Sequence, residues 1–406
     1  MRILILGNDG YIGYPLTIHL LRKGHEVFGV DDLSRRRRVN EVGTESLTPI
    51  MPVTAKRYYL KANYKNYIDQ VNLTLGGVPP NFINSILASF KPDIIVHLAE
   101  QPSAPWSMRD VGFAVQTQYE NVIGTLQLLW AMKKECPDAH LVKLGTMGEY
   151  GTPDCDIPEG EIPQGCLAWY ERKDIEEMQC ECPMQGLPFP RSAGSFYHLS
   201  KVHDTHNIIF ACKVWGLRST DIMQGVVFGL NDPENEEEMT RFDYDEYFGT
   251  AINRFCAQAI IEHNLTVYGK GSQVRGFLPL KDSIQCLTIA IENPPEEGEY
   301  RAFNQFENIY SIDSLANIVH EEAKTLGLQT GIEYMKNPRI EASQHHYNPV
   351  HQKLLDLGYV PTTDIQSEIA KLLTELLPYQ KRVNPEVILP TTKWKEGELN
   401  ARHRRI

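Results

Sequence analysis

No stretch of this 406-residue chain is apolar over the roughly 20 residues that a membrane-spanning helix needs, so a helical membrane enzyme is excluded. An excess of basic charge is missing as well. The formal net charge is −12, which makes nucleic acid and anionic membrane surfaces poor general partners, although a local basic pocket stays compatible with it. A charged leader ahead of a separate apolar core is also lacking. Met1-Arg2 runs directly into Ile3-Leu4-Ile5-Leu6, so no signal peptide is expected, the fold is expected to start at residue 1, and cytoplasmic is the default location. There are no internal repeats and no paired C-x-x-C motifs among the eight cysteines. Cys136, Cys212, Cys256 and Cys286 stand alone in apolar settings and are expected to pack as small hydrophobes. Cys155, Cys166, Cys180 and Cys182 share one segment. Free thiols, a disulfide and a metal site are the alternatives there, and no metal is expected.

What is present is a strand–helix alternation with punctuation. Ile3–Leu6 reads as a strand buried on both faces, and a helix with Leu16, Ile18, Leu20 and Leu21 ends at Lys23-Gly24. Strands follow at Glu26–Val30, Asp93–Leu98 and His140–Leu144, with a helix over Val115–Lys133. This pattern predicts an α/β protein with a Rossmann-type, doubly wound parallel sheet over residues 1–225. Residues 226–406, where the rhythm is irregular, are expected to form mainly a smaller substrate lobe and a polar C-terminal tail. Thr152–Arg191, rich in proline, glycine, acids and cysteine, reads as a long insertion (about 155–190).

Gly7, Gly10 and Gly13 form G-x-x-G-x-x-G directly after the first strand, with Tyr11 and Ile12 inside the turn. Glycines there allow a tight turn, close approach of backbone to a pyrophosphate, and close helix–strand packing. Asp31, at the end of the second strand, would accept from an adenosine ribose and repel a 2′-phosphate, which points to NAD rather than NADP. Asp32, Arg35 and Arg36 follow as further cofactor contacts, whereas Arg37 and Arg38 are expected to be solvated. The third strand is placed so that Asn72–Pro80 follows it, and no carboxylate stands in that stretch to hold adenine.

Tyr197-His198-Leu199-Ser200-Lys201 is Y-x-x-x-K. A tyrosine with its ordinary pKa of about 10 is a poor base at neutral pH, and an ammonium one helical turn away favours the phenolate. Such a pair takes a hydroxyl proton while hydride leaves the same carbon. The bland alternative is a helix-surface pair, and the glycine turn, Asp31 and Thr146 together argue against it.

These motifs resemble the extended short-chain dehydrogenase/reductase class, and longer ones resemble its UDP-sulfoquinovose synthase family. Those are Glu45–Ile50, Ala99-Glu100-Gln101 with Ser103-Ala104-Pro105, Leu144–Pro153, Ser195–Asp204 and Asn337-Pro338-Arg339. The resemblance runs to about Trp394, apart from stretches around 51–85 and 155–190. It implies that Thr146, Tyr197 and Lys201 act on the substrate hydroxyl, with Leu98, Asn121 and Gln224 on the cofactor side. It also implies substrate contacts from Glu100, Gln101, Ser103, Gln273, Arg275 and Arg339. The implied substrates are UDP-glucose and sulfite, supplied free or by a donor protein, with tightly held NAD and a homodimer paired through two long helices.

Three departures stand out. Met147-Gly148 replaces the two acids of related 4,6-dehydratases, which leaves Glu149 and His198 as candidates for proton shuttling. Pro102 stands where the family carries arginine, and Arg191 is the expected replacement for binding sulfite. Met223 replaces an asparagine, and Glu341–Asn348 matches loosely. The alternative functions are a UDP-glucose 4-epimerase or nucleotide-sugar dehydratase, and a non-catalytic NAD-binding scaffold.

Overall fold

The computed structural model describes residues 1–71, 80–162, 187–339 and 346–394. Five strands follow in chain order, β1 (Arg2–Leu6), β2 (Glu26–Asp31), β3 (Tyr67–Val71), β4 (Ile94–His97) and β5 (His140–Leu144). With Arg218–Gln224 and Tyr300–Gln305 they make one seven-stranded sheet. Its spatial order is Tyr300–Gln305, Arg218–Gln224, β5, β4, β1, β2, β3, and every pair is parallel. The central strands β1 and β4 are continuous runs of buried residues, almost all apolar, because helices cover both faces. The order reverses between β1 and β4, and the crevice beyond their carboxyl ends is where such sheets bind ligands.

The seventh strand comes from beyond residue 225, so the larger lobe draws on both halves of the chain. The smaller lobe has its own core around Phe255, Leu265, Phe277, Leu315 and Leu372. It packs the helices Ala251–Ile260, Ile312–Thr325 and Ile365–Leu376 on two small sheets. The helix expected over Val115–Lys133 begins earlier, at Val111, and carries a π-turn at Tyr119–Ile123 before continuing to Glu135. That turn rotates Asn121 into full burial. Cys136, Cys212, Cys256 and Cys286 are free and buried, and Cys155 is free and exposed. The other three clustered cysteines, and most of Asn72–Pro80, lie outside the described residues. Among the described residues no helix is long and apolar enough to cross a membrane, and no cluster could hold a metal ion.

The glycine turn is fixed by its two non-glycine neighbours. Asn8 Nδ2 donates to Tyr67 Oη at 3.2 Å, and a Cβ on Gly29 would lie 2.2 Å from that nitrogen. Asp9 takes Arg36 Nε at 2.6 Å and Lys56 Nζ at 2.7 Å. Burial alone would raise the Asp9 carboxyl, but Lys56 and Arg36 outweigh it and hold it at about 2, below the ordinary 3.8. Asp9→Asn should therefore destabilise the protein by about 2–4 kcal/mol at pH 7, because two cations lose their carboxylate. The deficit is complete above the unfolded pKa and shrinks as pH falls through the folded one. Denaturant unfolding of both proteins across pH checks this, and equal stabilities at pH 7 would contradict it.

Candidate active site

The helix Phe196–Trp215 starts where it does because Ser195 caps it, its Oγ accepting the His198 N–H at 3.2 Å. The same hydroxyl meets His198 Nδ1 at 2.9 Å. The other ring nitrogen, Nε2, is thereby turned toward Gly148, where an added Cβ would lie only 2.3 Å away. Thr146 follows β5 and caps the short turn Met147–Glu149, accepting from Gly148 N at 3.1 Å. The two capping residues thus place Thr146, Tyr197 and His198 around one point. Burial pushes the Tyr197 phenol up, while the Lys143 ammonium and a hydrogen bond with Thr146 pull it down. Lys201 Nζ donates to Leu144 O at 2.6 Å, pairs with the Glu100 carboxylate and stands 6.0 Å from the Tyr197 ring centroid. Burial lowers its pKa to about 8, against the pull of Asp204 and Asp221. Burial, aided by Arg339 and Arg275, holds His198 at about 3, so it is neutral at physiological pH.

These residues face a cleft of about 690 Å³ between the lobes, within the usual range for a small-molecule site. At one end lie Gly7, Gly10, Tyr11, Ile12, Gly13, Asp31, Asp32, Arg35 and Leu98. At Gly13 a Cβ would sit 2.1 Å from Gly7 O, and at Gly7 (φ +90°) 2.8 Å from the Leu98 carbonyl carbon, so only glycine allows this turn. Asp31 accepts from Asp9 N at 2.8 Å and Leu33 N at 2.7 Å, and burial raises it to about 6. Arg35 lies over the Phe248 ring at 4.1 Å with its Nε 3.5 Å from Asp243, and its buried Nη1 has no hydrogen-bond partner among the described residues. A bare turn, a carboxylate and an unpaired guanidinium nitrogen suit a dinucleotide with ribose and phosphate groups.

At the other end Gln273, Arg275 and Arg339 line the cleft, as does Gln224, whose Oε1 accepts from Ser283 at 3.4 Å. Glu100 and Ser103 also line it, the Ser103 hydroxyl donating to Tyr247 O. Several expected residues are placed elsewhere. Gln101 is fully buried, its amide donating to Ser103 O at 3.0 Å and Thr117 Oγ1 at 2.9 Å. Asn121 holds that same loop, bonding Gln101 N at 2.8 Å, Gln101 O at 3.0 Å and Ser200 Oγ at 2.8 Å. Arg36 is committed to Asp9. Glu149 is fully buried behind the cleft, accepting from Thr205 Oγ1 at 3.0 Å, with Lys143 Nζ at 3.9 Å. Arg191 belongs to the same buried group, 3.5 Å from Glu149 and over the Tyr150 ring, so it does not face the cleft where sulfite was expected to meet it.

The cleft also contains residues that motif reading passed over. Arg38, expected to be solvated, is buried against Glu120, and both line the cofactor end. Arg254, with Nη1 on Tyr268 Oη at 2.6 Å, joins Arg275 and Arg339. It sits on the almost wholly buried helix Ala251–Ile260, where Asn253 and Gln258 are its only polar companions and neither marks a ligand site in the sequence. Gly151 (φ +67°) approaches Ser192 so closely that a Cβ would lie 2.1 Å from Ser192 O, which pins the two ends of the long insertion together at the cleft wall.

The family model for the NAD dependent epimerase/dehydratase family matches residues 3–304, and the chain belongs to that family. Within it the chain is 45% identical to the chloroplastic UDP-sulfoquinovose synthase of Spinacia oleracea, over 97% of this chain and 79% of that protein. It is 42% identical to the UDP-sulfoquinovose synthase of Sulfolobus acidocaldarius over the whole of both chains. The fold is similar to that of UDP-glucuronic acid 4-epimerase from Bacillus cereus, solved with UDP-glucuronic acid and NAD. Its TM-score is 0.65 at 19% identity, covering 95% of this chain and all of that one.

Gly148→Ala should displace His198 and cut turnover by at least about 100-fold, the scale of one lost acid–base group, while leaving bound cofactor and melting temperature nearly unchanged. Turnover numbers and cofactor content check this. Wild-type turnover in the variant would contradict an acid–base role for His198.

Proposed function

We infer that the protein makes UDP-sulfoquinovose from UDP-glucose and sulfite, using NAD that stays bound through the cycle. The likeness to UDP-sulfoquinovose synthases over essentially the whole chain carries this reading. The site's chemistry agrees, with Thr146, Tyr197, Lys201 and His198 lining the same cleft as Arg254, Arg275 and Arg339.

Gly7, Gly10, Gly13, Asp31 and Arg35 would hold NAD, which when bound would supply reversible hydride acceptance at C4 of glucose. Tyr197 takes the C4 hydroxyl proton, with Thr146 sharing that hydroxyl and Lys201 favouring the phenolate. The resulting 4-ketone acidifies the C5 proton. Loss of that proton and of the C6 hydroxyl as water leaves an unsaturated ketone, sulfite adds at C6 while C5 takes a proton back, and Tyr197 gives its proton back to the C4 oxygen. One water is released, and the reaction is redox neutral. His198 is the group placed to move the C5 or C6 proton. A diphosphate between Arg275 and Arg339 would remove the cationic repulsion that helps keep its pKa low, making it a stronger base once substrate is present. Glu149, behind the cleft, positions the Met147–Glu149 turn. Pro102, Ser103 and the Ser192–Gly194 backbone form the remaining wall of the reacting end, and sulfite reaches it free or from a donor protein.

An apolar stripe on the helices 111–135 and 196–215 supports a homodimer. Val111 is 79% exposed, Trp130 55% and Phe210 59%, and Trp130 packs on Trp215 with ring centroids 4.7 Å apart. Such a contiguous exposed patch marks an interface.

Protein purified without added NAD should convert UDP-glucose and sulfite to a nucleotide sugar heavier by one SO₂, read by mass spectrometry. UDP-galactose, which has the same mass as UDP-glucose and is resolved from it by chromatography, would instead indicate an epimerase, and a product lighter by one water a dehydratase. Tyr197→Phe should lose at least about 100-fold in turnover, and unaltered activity would sink the mechanism. Trp130→Glu combined with Phe210→Glu should give a monomer by light scattering, and an intact dimer would place the interface elsewhere.

A further inference from the structure

The C-terminal stretch reads as a polar extension, yet part of it is built into the cleft. Thr391 Oγ1 donates to Glu246 Oε2 at 2.6 Å, and Thr392 N–H donates to Glu246 Oε1 at 2.6 Å. Both oxygens of a buried carboxylate are thus committed to this short segment. The Thr391 hydroxyl also meets Tyr247 Oη at 3.2 Å. Two residues beyond Thr392, Trp394 N–H donates to Pro338 O at 3.1 Å. Its indole ring then lies against Arg339, with the guanidinium carbon 5.6 Å from the ring centroid. Glu246, Tyr247, Arg339 and Trp394 all line the cleft.

The segment therefore straps one wall of the cleft to another. It joins Glu246-Tyr247, which precede the buried helix Ala251–Ile260, to the loop Pro338-Arg339 that follows the strand Ile332–Met335. An arginine side chain is long and otherwise free to rotate, and a planar guanidinium is well matched to an aromatic face. A guanidinium held in place before the ligand arrives spares the complex the cost of ordering it.

We propose that Trp394 is a positioning residue for the nucleotide sugar. Its ring fixes Arg339 toward the diphosphate, and Thr391 and Thr392 anchor the strap that carries it. This rests on the reading of the cleft as a nucleotide-sugar site. A surface tail with no such role would neither satisfy a buried glutamate nor place an aromatic ring on a cleft arginine.

The test is UDP binding by titration calorimetry together with steady-state kinetics on UDP-glucose, for wild type, Trp394→Ala, Trp394→Phe and Thr391→Val. Loss of the ring should raise both the Kd for UDP and the KM for UDP-glucose about tenfold, with kcat and melting temperature nearly unchanged. Trp394→Phe should restore most of the affinity, and Thr391→Val should fall between. Wild-type UDP affinity in Trp394→Ala would overturn the role of Trp394 alone, as would a loss confined to kcat. Failure of the wild-type protein to bind UDP at all would overturn the nucleotide-sugar reading and this role with it.

Discussion

Behind Tyr197 lies a group of charges that no solvent reaches, and the geometry of the site depends on it. Lys143 Nζ is fully buried, 3.7 Å from Asp221 Oδ2 and 3.9 Å from Glu149 Oε1, and it donates to Lys201 O at 3.3 Å. Thr205 Oγ1 bridges the same two carboxylates, and Tyr300 Oη reaches Asp221 Oδ2 at 3.3 Å. Removing one partner from such a group leaves an uncompensated buried charge, a cost of about 3–5 kcal/mol. The group therefore has to form as a unit. It fastens β5, the strands Arg218–Gln224 and Tyr300–Gln305, the Met147–Glu149 turn and the helix Phe196–Trp215 at a single place. Thr146, Tyr197, His198 and Lys201 all stand on the elements it joins.

The same arrangement separates two tasks that the sequence presents side by side. Glu149 and His198 are both polar residues close in sequence to Thr146 and Tyr197, yet they differ in surroundings. Burial raises the Glu149 carboxyl to about 7 against the pull of Lys143 and Arg191, and its oxygens face the interior. His198 faces the cleft, held neutral, with one nitrogen committed to Ser195 and the other free toward Gly148. Small residues around the site serve this packing, since a Cβ at Gly145 would lie 2.4 Å from Asp221 Oδ1.

Much of this was legible in the chain because it is local. The glycine turn, Asp31 after the second strand, and Tyr197 with Lys201 one helical turn apart all depend on neighbours a few residues away. Four strands of the parallel sheet were legible for the related reason that they are mostly apolar runs, whereas Tyr67–Val71, Arg218–Gln224 and Tyr300–Gln305 carry polar residues along their length and gave no such signal. The rest depends on convergence from far along the chain. Lys143 looks like an ordinary strand residue until Asp221 and Glu149 close around it. Gln101 and Asn121, twenty residues apart, turn inward because the π-turn at Tyr119–Ile123 aims one at the backbone of the other. Arg254 sits on a helix that otherwise reads as core, and Trp394 lies in a stretch whose composition suggests solvent. No pattern of short period marks such residues; only the assembled cleft does.

If one bound cofactor oxidises and then restores the same sugar carbon, a deuterium placed at C4 of UDP-glucose returns to that carbon. The decisive measurement, made with sulfite present, is where the label resides in the product. The sulfonated sugar should keep its deuterium at C4 without any added reductant. Loss of the label to solvent, or a requirement for supplied NADH, would contradict it.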